Sequence, residues 1–89
     1  MPDDVRDLRE HWGRLIRDRR KSVGLSQNRL AQKCGLDRQR IWRIELGEIA
    51  TADHIRIAIA AALDTKVERL FPYPIPSRIA KSAQDRGAA

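Results

Sequence analysis

Leu25-Ser26-Gln27-Asn28-Arg29-Leu30-Ala31-Gln32-Lys33-Cys34-Gly35-Leu36-Asp37-Arg38-Gln39-Arg40-Ile41-Trp42-Arg43-Ile44-Glu45-Leu46-Gly47 reads as two short helices crossing at a tight turn. Ser26 offers an N-cap oxygen to a helix of barely two turns, over about residues 27 to 34, with Leu30, Ala31 and Cys34 on one face. Gly35 can take the positive φ that the turn needs, and Asp37 caps a second helix whose inward positions are Ile41 and Ile44, stopped by Gly47. Ala31 is small where the helices cross, while Leu36, Ile41 and Ile44 fill the angle between them. Neither helix is long enough to be stable alone, so both need partners from the rest of the chain.

Those partners lie on either side. From Val5 to Val23 the apolar residues Val5, Leu8, Trp12, Leu15, Ile16 and Val23 recur at steps that draw one helical stripe. Acidic residues come early (Asp3, Asp4, Asp7, Glu10) and basic ones late (Arg17, Arg19, Arg20, Lys21), which suits the helix dipole, and Gly24 is placed to end this helix. After Gly47, Thr51 can cap a fourth helix with Ile55, Ile59, Ala62 and Leu63 inward, and Thr65 with Glu68 has the form of a capping box before Val67, Leu70 and Phe71. Alternating prolines in Phe71-Pro72-Tyr73-Pro74-Ile75-Pro76 then forbid helix continuation. The expectation is an all-α, compact five-helix domain over residues 1–71, its bihelical unit at about 26–47, and a proline-rich, largely extended tail over 72–89.

The chain has 89 residues, with 18 Lys plus Arg against 12 Asp plus Glu, a net charge of +6. That excess favours a polyanionic partner. Aromatic residues are only 4% of the chain, too few to stack the bases of a single strand, so duplex DNA is the better default. A lone cysteine, Cys34, and two isolated histidines, His11 and His54, cannot build a four-ligand zinc site or an internal disulfide. Cys34 reads as a small core residue in a reducing, cytoplasmic compartment. The start Met1-Pro2-Asp3-Asp4 has no secretory pattern, and the longest apolar run, seven residues from Ile57 to Leu63, cannot span a bilayer. No set of acid, base and nucleophile converges, so neither catalysis nor a cofactor is expected.

Taken together, Ile16, Arg20, Gly24-Leu25-Ser26-Gln27, Leu30-Ala31, Gly35-Leu36, Ile41, Ile44-Glu45, Gly47, Ala60, Leu63 and Leu70-Phe71 resemble the lambda-repressor-like helix-turn-helix family, of Cro and Xre type. The resemblance runs from Trp12 through Phe71. Two departures stand out: Asp64 and Thr65 occupy places usually held by a glycine and an aliphatic residue, and Arg56 occupies an often apolar place.

Placing residues about 100° apart puts Arg38, Gln39, Trp42 and Arg43 on the face of the third helix opposite Ile41 and Ile44. Such a face suits the major groove: Arg bridges guanine O6 and N7, Gln pairs with adenine N6 and N7, and an apolar edge can meet a thymine methyl. The resemblance also implies base reading by Arg38, Gln39 and Arg43. For Trp42 two directions stay open, toward a sugar or thymine methyl or back onto the second helix. Residues 29 to 43 hold five cations (Arg29, Lys33, Arg38, Arg40, Arg43) and one acid, Asp37. Phosphate contacts are expected from Gln27, which matches a family phosphate contact, and from Arg29, Lys33 and Arg40. The family further implies a structural ion pair between Arg20 and Glu45.

The expected function is a sequence-specific, double-stranded DNA-binding transcriptional regulator, a phage or bacterial repressor acting by operator occupancy. Because one module buries only about 600 to 1,000 Å² on DNA, a homodimer on two half-sites is expected, with helix five, Phe71, Tyr73 and Ile75 as the seam. The alternative is an antitoxin that autorepresses its operon and binds its toxin, a protein partner, through Pro72 to Ala89.

Overall fold

Three of the first four helices end the same way, on a glycine in the left-handed region. The computed structural model describes residues 3–73, which form α1 (Asp3–Ser22), α2 (Gln27–Cys34), α3 (Arg38–Leu46), α4 (Asp53–Ala62) and α5 (Val67–Leu70). At the ends of α1, α2 and α3, Gly24, Gly35 and Gly47 have φ of 76°, 69° and 77°. In each case the next residue's amide reaches back five positions: Leu25 N to Arg20 O, Leu36 N to Ala31 O, and Glu48 N to Arg43 O, at 2.9 to 3.0 Å. This closure satisfies carbonyls that a helix end leaves orphaned. At α4 the same closure, Thr65 N to Ala60 O, turns on Asp64, a non-glycine residue with φ of 52°.

Helix starts are capped where the sequence offers an oxygen. The Ser26 hydroxyl accepts from Arg29 N at 3.1 Å, and the Asp37 carboxylate accepts from Arg40 N at 2.8 Å. Two other expected caps are not made. Ala52, not Thr51, precedes α4, and Lys66, not Thr65, precedes α5, neither with a side-chain cap. Thr51 is buried, and its carbonyl accepts from Arg56 Nε at 2.9 Å.

The five helices pack around Trp12, Ile16, Leu30, Ala31, Ile41, Ile44, Ile55, Ile59, Ala60, Leu63, Leu70 and Phe71. Leu15, Leu36 and Cys34 pack against this core from partly buried positions. Val23, expected on the apolar stripe of α1, lies beyond the helix end and is exposed. On α4 the fully inward alanine is Ala60, while Ala62 is only half-buried. Burial pushes the Cys34 thiol up from its usual range.

Arg56 stands where an apolar residue was expected because its guanidinium lies over two rings, 4.6 Å from the Trp12 centroid and 5.6 Å from that of Phe71. Those rings meet edge to face at 5.5 Å, and the Trp12 indole donates to the Pro72 carbonyl at 2.7 Å. The cation thus satisfies its Nε on the Thr51 carbonyl and its face on aromatic π-density. No described helix is long and apolar enough to cross a membrane.

Candidate nucleic-acid interface

The arginines of this chain divide into those used by the fold and those left on its surface. Arg19 crosses from α1 to the end of α4, where its Nε and an Nη donate to the Leu63 and Asp64 carbonyls, both at 2.9 Å. Arg20 is buried, with Nε 2.7 Å and an Nη 3.1 Å from the two Glu45 carboxylate oxygens, and its other Nη donates to Leu25 O at 3.0 Å. By contrast, Arg29, Lys33, Arg38, Arg40 and Arg43 are all exposed, and none has an ion-pair partner among the described residues. An unneutralised cation cluster costs little in water and becomes favourable when a polyanion approaches.

How α3 is held explains why its outer face is available. Ile41, Ile44 and Glu45 point inward, which turns Arg38, Gln39, Trp42 and Arg43 outward on the opposite side. The inward side is drawn very close to α1, because Gly13 has no side chain. A Cβ built there would lie 2.1 Å from the Glu45 carbonyl oxygen, and one on Gly47 would lie 2.6 Å from the Glu10 amide nitrogen. In the sequence Gly13 shows only as a residue that costs stability inside a helix, which points to a packing reason without naming the partner.

Glu45 also reaches α2. Gln27 Nε2 donates to its Oε1 at 3.1 Å, so this expected phosphate contact is half-buried and already holds one internal bond. A second hydrogen on that nitrogen remains, and so do the amides of Gln27 and Asn28, which precede the first intrahelical bond of α2, Leu30 N to Ser26 O. Asn28, unnoticed in the sequence, lines an open cleft with Arg20, Ser26, Gln27 and Arg38.

On the other flank, Asp37, Gln39, Arg40 and Arg43 line a second cleft with Ile49, which follows α3. Trp42 keeps 49% of its surface exposed and shares a third cleft with Gln27, Arg38 and Gln39. Trp42 and Gln27, the first residue of α2, thus line one open cleft, and the indole is not covered by that helix. His11 is half-buried, His54 is exposed, and they stand on different helices, α1 and α4.

The seam expected at helix five is changed by the fold. Phe71 is 6% exposed and belongs to the core, because Trp12 and Arg56 cover it. Ile75 and the remaining tail lie outside the described residues. Tyr73 is exposed, and so is Ile57 at 60%, an aliphatic side chain on α4 at the start of the apolar run 57–63.

Residues 16–70 match the model of a helix-turn-helix family, HTH_3. Among solved structures, the restriction-modification controller protein C.AhdI from Aeromonas hydrophila is 35% identical, with a TM-score of 0.68 over 73% of this chain and 97% of that one. A hypothetical transcription factor, NHTF from Neisseria, is 32% identical, with a TM-score of 0.72 over 86% of this chain and 87% of that one. The clp gene regulator ClgR from Corynebacterium glutamicum shares the fold at 22% identity, with a TM-score of 0.73 over 91% of this chain and 86% of that one. No curated protein matches the chain.

Proposed function

This chain belongs to the helix-turn-helix family of DNA-binding transcription regulators, and from that premise we propose that it is a sequence-specific repressor that occupies a double-stranded operator through the major groove. The observation that carries this reading is the outer face of α3. There Arg38, Gln39 and Arg43 stand exposed and without ion-pair partners, on a helix fixed to α1 and α2 by buried contacts. Those side-chain types carry the donors that distinguish guanine and adenine edges. In this reading Arg38, Gln39, Trp42 and Arg43 face bases, while Gln27, Arg29, Lys33 and Arg40 hold phosphates on either side.

A module this size buries only about 600 to 1,000 Å² on DNA, so strong discrimination requires two copies on half-sites about 34 Å apart. The exposed face of α4 supports a seam between them: Ile57 and, one turn on, the exposed Ala61 offer an apolar and shallow surface.

Selection of bound duplexes from a random pool, followed by affinity measurement at two salt concentrations, tests the whole reading. The expected result is a palindromic consensus with half-site centres one helical turn apart. Weak, salt-sensitive binding with no enriched sequence would overturn it and turn the search toward a protein partner, as for an antitoxin.

A further inference from the structure

Trp42 is the side chain on the α3 face whose presence neither folding nor charge explains. Half its surface is in water, and among the described residues it has neither a hydrogen bond nor a ring partner, unlike Trp12. Its neighbours define a cleft of about 380 Å³ walled by Arg38 and Gln39 one turn earlier and by Gln27 at the start of α2. Gln27 cannot swing freely out of the way, since its amide is bonded to the buried Glu45 carboxylate.

Resting on the DNA-binding reading above, we infer that this cleft takes the C5-methyl group of a pyrimidine, and that occupancy of the operator responds to the presence of that methyl. Apolar groups are scarce on the major-groove edge of B-DNA, and the C5-methyl is the one that projects from it. Arg38 and Gln39 require hydrogen-bond partners in the plane of their bases. Trp42 lies three to four residues further along α3, about 4.5 to 6 Å of helix rise, which for a helix running along the groove is more than one base-pair step of about 3.4 Å. The indole therefore meets a pair beside the one the polar side chains read.

Thymine and 5-methylcytosine present the same group, and the test separates them. Using the full chain and its selected duplex, each thymine is replaced in turn by deoxyuridine, and each cytosine in turn by 5-methylcytosine. If thymine is the source, one deoxyuridine position lowers affinity about fourfold, the factor for one methyl left in water. If 5-methylcytosine is the source, one methylated position raises affinity by the same factor. Either effect is lost in W42A, while the dependence of affinity on salt keeps the wild-type slope because no phosphate contact is removed. A selected duplex on which no single methyl changes affinity by more than twofold overturns this inference alone, as does an effect that persists in W42A. Failure to select any duplex overturns the DNA-binding reading, and this inference with it.

Discussion

The Glu45 carboxylate receives the Arg20 guanidinium on both of its oxygens, at 2.7 and 3.1 Å, with both side chains buried. The two-point geometry makes the pair strong, and burial makes either partner costly to leave alone. Glu45→Ala is expected to destabilise the domain by about 3 to 5 kcal/mol, read as a lower thermal midpoint. Replacing both partners, Arg20→Met with Glu45→Leu, should recover most of that loss. An unchanged midpoint in the single variant would refute the account.

Gly13 offers a test with an inverted sign. Gly→Ala inside a helix ordinarily stabilises by about 0.5 to 1 kcal/mol. Here the added methyl would lie 2.1 Å from the Glu45 carbonyl, so α1 and α3 must separate. We expect Gly13→Ala to cost about 1 to 3 kcal/mol in urea unfolding. A more stable variant would show that the two backbones do not approach so closely.

Asp64 holds the left-handed position that glycine takes at the ends of α1, α2 and α3. Asp64→Gly removes that strain and keeps the backbone carbonyl that accepts from Arg19. The expected gain is about 0.5 to 1 kcal/mol in thermal unfolding, reduced somewhat by the freer unfolded chain. A loss of stability would mean that the carboxylate itself contributes.

Base and phosphate contacts should separate in titration. Arg43→Ala is expected to cost about 1 to 3 kcal/mol and to relax preference at one base position. Lys33→Ala should instead weaken all sequences alike and reduce the salt slope by about one. Equal behaviour of the two variants would dissolve the division of roles.

For the seam, Ile57→Asp should give a monomer in sedimentation with helicity intact, because Ile57 is 60% exposed and supports no core contact that the charge would break. A persistent dimer would move the interface elsewhere.

Much of this fold is legible in the sequence because its punctuation is local. Ser26, Gly35, Asp37 and Gly47 act within a few residues of themselves, and their helices begin and end where those residues place them. The expected caps at Thr51 and Thr65 fail for a nonlocal reason: burial of Thr51 and the closure of α4 through Asp64 decide those boundaries. Arg56 over Trp12, Arg19 on the end of α4, and Gly13 against Glu45 depend on pairs of segments meeting in space, which no periodicity reports. The α3 face follows from helical angle alone, whereas the partial commitment of Gln27 to Glu45 needed the third dimension.

That commitment has a thermodynamic consequence. One carboxylate on α3 accepts from α1 through Arg20 and from α2 through Gln27, so the relative pose of three helices is fixed in the unbound protein. In the proposed DNA-binding reading, the α3 face is therefore preorganised. Association spends its ordering entropy on exposed side chains and on the duplex, and none on assembling the scaffold. Its heat-capacity change then reports the area of contact, free of any folding contribution from α1, α2 and α3.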